Sequence, residues 1–348
     1  MSLNSCVAAV DIGYGNVKYS YYNNGKIVLP SHFPSTAKLV NGSVNKGVLD
    51  WSDQFDILTV MAEGFKYMVG PDVTKTMSVE ESRNRPLLKD YVETPQHMAL
   101  LKGALRFIGK REINILITGL PVDYYNSFKD VMREKVTGIH DYPDGERIVV
   151  HEAKVMPQPM GGFVNYFLDN NELSRFKDLR SLTIDVGYCT LDWLMCESLV
   201  MNDGRSNSIR HGMSSVLERY KNLINADTGY ECSDVSRIDE GLRKGCVMRI
   251  NGEEYNFSKF TPIVNQFIQE GAMLLMAGVG ELQDIDVILI VGGGAIYFKE
   301  QFELVLKRKI ILCEDDIYSN VRGYLKAGIS INKTNVATVE PQKKIAKK

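Results

Sequence analysis

Apolar runs bounded by Gly and Pro alternate along this chain with stretches whose apolar residues recur at helical spacing. That alternation is the pattern of an α/β protein. Residues 6–12 form a short, mostly apolar run, expected as a buried strand. Two further strand-like runs, 17–22 and 26–29, flank Asn23-Asn24-Gly25, which reads as a hairpin turn because Asn and Gly tolerate positive φ. Residues from about 31 to 92 are polar and weakly periodic, and are expected to form an inserted subdomain. Thr94-Pro95 then supplies an N-cap and a first-turn proline. Met98, Leu101, Leu105 and Ile108 give the helix that follows one apolar face.

The pattern continues with a strand at 113–117, the turn Gly119-Leu120-Pro121 and a helix near 123–135. A strand over 148–155 ends at Met156-Pro157-Gln158-Pro159, and a helix is expected from about 161 to 168. Strands follow at 182–186 and, as a hairpin or meander, over 191–201. Residues 213–282 read as mainly helical. A buried strand at 287–291 runs into Gly292-Gly293-Gly294. The end, 341–348, is basic and is expected to be a disordered tail.

An internal repeat organises these elements. Asp11-Ile12-Gly13-Tyr14-Gly15-Asn16-Val17-Lys18-Tyr19 aligns with Asp185-Val186-Gly187-Tyr188-Cys189-Thr190-Leu191-Asp192-Trp193, each copy following an apolar strand. Further on, the stretch from Ile117 to Tyr125 aligns with that from Ile290 to Phe298. Two matches in the same order imply two similar α/β halves.

Composition narrows the field. Hydrophobic residues make up 44% of 348, enough for a full core, which excludes a disordered chain. The net charge of −2 provides no global field for nucleic acid or membrane, so direct DNA binding is not expected. The six cysteines contain no C-x-x-C pair, and no histidine stands at zinc-ligand spacing. No signal peptide or membrane span is read, so a reduced, cytoplasmic setting is the expectation.

The chemistry concentrates at the two Asp-x-Gly loops. A strand that ends in Asp and turns through Gly sets a carboxylate beside backbone N–H groups. The N–H groups of Gly13, Tyr14, Gly15 and Asn16, and of Gly187, Tyr188, Cys189 and Thr190, can cradle phosphate oxygens. The carboxylates of Asp11 and Asp185 can hold Mg²⁺ through its water shell. Lys18 is a further candidate phosphate contact, with a solvated hairpin lysine as the plainer alternative. Gly292, Gly293, Gly294 and Ala295 join a strand to a helix without Cβ atoms until Ala295, which permits close approach of a nucleotide. No G-x-x-x-x-G-K-[ST] is present, so a P-loop is excluded. Gln158 offers a neutral amide that could orient an attacking water, while on local sequence alone a surface glutamine is the simpler reading.

These residues together resemble the ATPase superfamily of actin, the chaperone ATPases and the sugar kinases. Asp11 to Lys18 resembles its first phosphate loop, Met156 to Gly162 its first connecting segment and Asp185 to Asp192 its second phosphate loop. Gly292 to Ala295 resembles the adenosine motif, and Ser319 to Tyr324 the second connecting segment. Within the superfamily the chain is most similar to the ParM-type plasmid-partition actins, through Gly119-Leu120-Pro121, Tyr124-Tyr125 and Asn320-Val321-Arg322-Gly323-Tyr324.

The resemblance implies two similar, ribonuclease H-like α/β domains around a nucleotide cleft. Domain I would span 1–157 with a returning segment at about 323–340, and domain II would span 158–322 with a helical insert at 213–282. It implies ATP as the ligand (GTP being the alternative base), Mg²⁺ near Asp11 and Asp185, and Gln158 as the water-positioning residue. It also implies nucleotide-dependent filaments of the chain with itself, coupled to plasmid DNA by a DNA-binding adaptor protein, with no membrane partner. Two rivals share the fold. A small-molecule kinase would need a general-base carboxylate and an acceptor pocket. A chaperone-type ATPase would be expected to carry a substrate domain after the ATPase domain.

Overall fold

A computed structural model of the chain describes residues 6–40, 55–77, 91–169, 178–232, 234–313 and 316–345. Parts of the expected insert and the last three residues of the expected tail lie outside that range. The chain divides into two compact units, Met1–Glu172 with Tyr318–Lys348, and Leu173–Ile317.

In the first unit, β1 (Cys6–Ile12), β2 (Asn16–Asn23) and β3 (Lys26–Pro34) form consecutive antiparallel hairpins. A small second sheet follows, of β4 (Lys38–Leu39), β5 (Leu58–Ala62) and β6 (Phe65–Val69). Helix α1 (Pro95–Ile108) begins where expected, with the Thr94 hydroxyl accepting from the His97 N–H. Then come β7 (Glu112–Leu120), α2 (Val122–Val136), β8 (Gly138–Asp141), β9 (Arg147–Pro157) and α3 (Gln158–Asp169). The main sheet is six-stranded in the order β3-β2-β1-β7-β9-β8, with β7 parallel to both β1 and β9.

The second unit holds β10 (Arg180–Val186), β11 (Leu191–Glu197), β12 (Val200–Met201) and β13 (Asn207–Ile209). Next are α4 (Met213–Thr228), α5 (Ser236–Arg243), the hairpin β14 (Val247–Ile250) with β15 (Glu253–Asn256), and α6 (Thr261–Val279). Last are β16 (Val287–Val291), α7 (Ala295–Leu306) and β17 (Ile311–Leu312). The segment read as helical therefore contains a hairpin as well. Its turn, Asn251-Gly252, has both φ values positive (52° and 87°), the Asn-Gly signal that the helical reading passed over. Helix α8 (Ser319–Ile345) returns the chain to the first unit and runs through residues 341–345, the described part of the stretch expected as a disordered tail.

Alternation along β1 explains why both its faces are buried. Ala8 and Val10 join a core with Leu101 and Leu105 of α1, whereas Val7 and Ala9 join Val321, Tyr324 and Leu325 of α8. In the second unit, Ile184 and Trp193 pack with Leu217 of α4, Leu275 of α6 and Phe298 of α7. Gly278 makes that approach possible, since a Cβ there would stand 2.5 Å from the Trp193 ring.

The repeat is expressed as matching topology. Asp11 pairs with Lys18 and Ile12 with Val17, just as Asp185 pairs with Asp192 and Val186 with Leu191. The second sequence match, however, is one residue out of step within the strands. Ile117 lies opposite Ala9, and the structural counterpart of Ala9, Thr183, faces Leu289 rather than Ile290. The helices that follow, opening at Val122 and Ala295, do keep the aligned register. The link through the three glycines is thus one residue longer than its counterpart, a difference that apolar strand residues on both sides conceal.

Candidate functional site

Asp11 sits at the end of β1, 1% exposed. A buried carboxylate is costly unless paired, and this one has two partners. Lys18, directly across the hairpin, places Nζ 3.0 Å from Oδ2. Gln158 donates from Nε2 to Oδ1, also at 3.0 Å. Three residues singled out in the sequence are thereby joined by direct bonds. Gln158 is not a loop residue between two prolines: Pro157 ends β9, and Gln158 is the first residue of α3.

The position of Gln158 is set from α8. The buried Tyr324 hydroxyl donates to its carbonyl at 3.3 Å, and the Gly162 N–H donates to Asn320 Oδ1 at 2.9 Å. Glycines allow this contact. A Cβ on Gly119 would lie 1.9 Å from the Tyr324 hydroxyl, and one on Gly323 would lie 1.7 Å from the Gly161 carbonyl oxygen. This helix-to-helix packing keeps α3 and all of α8 in the first unit, whereas the sequence placed the domain boundaries at 157/158 and 322/323.

The loop after β1 has its carbonyls held by a residue that the sequence reading missed. Ser35 donates from its hydroxyl to the Gly13 carbonyl and from its N–H to the Gly15 carbonyl, the latter at 3.0 Å. Because a trans peptide points C=O and the next N–H in opposite directions, the N–H groups of Tyr14 and Asn16 face away from Ser35. A Cβ on Gly13 would stand 3.1 Å from Lys18 Nζ and 3.2 Å from the Asn16 carbonyl oxygen, so a side chain there would crowd the loop. Tyr14 stacks on Tyr91 with centroids 5.8 Å apart.

The loop after β10 uses a different anchor to the same effect. The N–H groups of Met213, Ser214 and Gly212 donate to the carbonyls of Gly187, Tyr188 and Cys189, at 3.1, 2.6 and 3.2 Å. The same peptide geometry turns the N–H groups of Tyr188, Cys189 and Thr190 away from the start of α4. Gly212 has to be glycine for this packing, since its Cβ would lie 2.7 Å from the Gly187 and Tyr188 carbonyl oxygens. The Tyr188 ring is exposed, while Cys189 is buried and burial pushes its thiol pKa up. Just before Gly212, His211 stacks on Phe267 of α6 at 3.9 Å, with Nε2 2.7 Å from the Phe267 carbonyl oxygen. Burial lowers its pKa, keeping the ring neutral at pH 7.

The three glycines after β16 differ in what they require. Gly292 has φ +92°, and a Cβ on it would lie 2.4 Å from Asp185 Oδ1. Gly294 abuts Val186 and Met213, at 2.5 and 2.7 Å from a Cβ position. Gly293 meets only the Ile317 side chain, at 3.1 Å. Gly292 and Gly294 therefore serve the fold, leaving Gly293 as the position where a side chain tests ligand approach. Ala295 opens α7, its N–H bonded to the Gly292 carbonyl.

Charge distinguishes the two loops. Asp11 faces a lysine, but Asp185, 6% exposed, faces Asp192, 2% exposed, whose Oδ2 accepts from the Thr190 hydroxyl at 2.5 Å. Like charges directly opposite on a hairpin are destabilising, so this donor set suits a cation. Among the described residues no group of three or more His, Cys, Asp or Glu gathers to hold a metal ion. One or two carboxylates with retained waters is the manner of Mg²⁺. On the exposed side of α5, Arg243 and Lys244 form i,i+4 ion pairs with Asp239 and Glu240.

Comparison with known proteins speaks to the fold. Residues 9–161 match the family model "Actin like proteins N terminal domain", and 183–304 match "Archaeal actin homologue MreB-like, C-terminal". A search of curated proteins by sequence returned no match. Among solved structures, the archaeal actin homologue Ta0583 is similar at 17% identity and a TM-score of 0.73, covering 93% of this chain and 99% of its own. It has also been solved in complex with ADP. The apo pSK41 ParM protein is similar at 20% identity and TM-score 0.64, covering 95% and 99%. A ParM from Clostridium botulinum, solved as a 15-stranded filament, is similar at 17% and 0.67, covering 94% and 100%.

Proposed function

The chain belongs to the actin-like family, and from that premise we propose that it is an ATPase whose nucleotide state controls its assembly into filaments that segregate plasmid DNA. The observation that carries the reading is the pair of equivalent loops. In both, loop carbonyls are tied back and N–H groups are turned outward after a strand that ends in a buried Asp. The Gly13 and Gly187 N–H groups, expected from the sequence to join them, are instead taken by the Asn16 and Thr190 carbonyls, at 3.1 and 2.9 Å. Each loop serves as a phosphate-binding element, by Tyr14 and Asn16 in the first and by Tyr188, Cys189 and Thr190 in the second. Lys18 adds a positive charge at the first loop, and Gly293 marks the nucleoside side.

Asp11 and Asp185 are the residues to hold Mg²⁺ through water. Bound there, the ion would neutralise developing phosphate charge. Gln158, held through Asp11 and Tyr324, orients the attacking water, and the buried Asp11 carboxylate fixes where its amide points.

Self-association has support in the second unit. A surface helix normally turns a charged face to water. Over Thr261–Val279 the sole charged residue of α6 is Glu270, and Met273 and Leu274 are 54% and 53% exposed. This face is assigned to a second copy of the chain. The coupling to DNA is assigned to an adaptor protein, consistent with the absence of a basic field. Sedimentation with ATP, GTP, ADP and no nucleotide, followed by electron microscopy of the pellets, tests the reading. Polymer with triphosphate and little with diphosphate is expected. Monodisperse monomer in every state would overturn it in favour of a kinase of the same fold.

A further inference from the structure

The bonds around Asp11 continue beyond the phosphate loop. Lys18 lies between Asp11 on one neighbouring strand and His32 on the other, so the three residues form one cross-strand row. His32 Nδ1 is 2.6 Å from the Tyr318 hydroxyl, and the two rings lie 5.7 Å apart. Tyr318 is the residue at which the chain re-enters the first unit, immediately before α8. The Arg322 guanidinium lies 5.9 Å from the centre of the Tyr318 ring. Further along α8, Tyr324 bonds the Gln158 carbonyl, and the Gln158 amide bonds Asp11. The path closes on itself within one unit: Asp11, Lys18, His32, Tyr318, α8, Tyr324, Gln158 and Asp11 again.

We propose that His32 and Tyr318 are positioning residues that close this circuit, tying the re-entry of the chain to the state of the first phosphate loop. The inference rests on the ATPase reading above and adds to it a route by which α8 responds to Lys18. Lys18 now partners Asp11 and is also the cation available to an arriving polyphosphate. If it shifts toward phosphate, the hairpin that carries it carries His32 as well, because β2 and β3 are paired at that position. The hydrogen bond passes this shift to Tyr318, and the rigid helix passes it to Tyr324 and Gln158. Desolvation, and then the Lys18 charge, hold the His32 pKa below its ordinary value, so a neutral imidazole meets the phenol.

The test is release of a fluorescent ATP analogue, followed by stopped flow in the full chain. Tyr318→Phe keeps the ring and removes the hydroxyl. Release is expected to quicken about five-fold, the scale of one net hydrogen bond. His32→Gln, which retains a hydrogen-bonding amide, should quicken release by less than Tyr318→Phe. The decisive measurement is Tyr318→Phe in a Lys18→Met background. A circuit predicts that the second substitution adds less than half its effect in the parent chain. Full additivity would reduce the contact to local packing and overturn the inference, as would unchanged release in both single variants. Should the parent chain bind no nucleotide, the ATPase reading itself fails, a result distinct from binding that Tyr318→Phe leaves unaltered.

Discussion

Gln158 is where hydrolysis and stability are expected to separate most clearly from assembly. Gln158→Ala removes the Nε2 bond to a carboxylate that is 1% exposed and leaves Asp11 with Lys18. A hydrogen bond to a buried charge contributes about 1.5–3 kcal/mol. For a unit of this size each kcal/mol moves Tm by about 2–4 °C, so a fall of roughly 3–12 °C is expected. Loss of a positioned catalytic group should slow phosphate release by about 10². ATP binding and polymer growth should survive, and filaments should outlast those of the parent chain as ATP is consumed. Gln158→Glu offers a control with a distinct signature. It brings a second carboxyl to within about 3 Å of Asp11, and two carboxyls that close do not both ionise. The shared proton is then held more tightly in the folded state than in the unfolded one. Stability is therefore present at low pH and lost as pH rises through the folded pKa. Phosphate release and thermal melts in parallel check both variants. Parent-like hydrolysis together with parent-like melting in Gln158→Ala would refute the role of this residue on both counts.

Gly293→Val should fold and lose ATP affinity, while Gly292→Ala should fail to fold or melt far lower, because its Cβ would meet Asp185 Oδ1 at 2.4 Å in a backbone of φ +92°; isothermal titration and thermal melts separate the two. Met273→Glu with Leu274→Lys on α6 should leave nucleotide binding intact and raise the critical concentration for polymer at least ten-fold by sedimentation, unless this face meets only water. Acid should destabilise the first unit through His97, which burial and then the Lys135 charge hold at about 3 against an ordinary 6.5. Its folded pKa is depressed, so the unfolded state binds the extra proton and stability falls as pH drops from 6.5 toward 3, by about 5 kcal/mol in full. Urea melts at stepped pH should show that slope flattened in His97→Phe, though not abolished, since His140 of the same unit is also held low by burial.

The sequence alone determined what is local. The Asp-x-Gly hairpins, the Thr94 cap and the strand running into three glycines all follow from residue type and short-range periodicity, and all are present in the fold. Asn251-Gly252 was legible in the same way, as a turn that needs positive φ twice. Only the tertiary structure decided how these pieces hold one another. Ser35 carries no signature of its own, and becomes the anchor of the first loop because the third strand brings it beneath Gly13. Gly212 and Gly323 read as ordinary glycines until their missing Cβ atoms are seen to let backbone meet backbone. The one-residue offset between the two halves was hidden because consecutive apolar residues in a strand buried on both faces fit either register. Gln158 illustrates the division best. Its place between two prolines is written in the chain, but its bond to Asp11 joins residues 147 positions apart, and such a contact exists only once the sheet and α8 have closed around it.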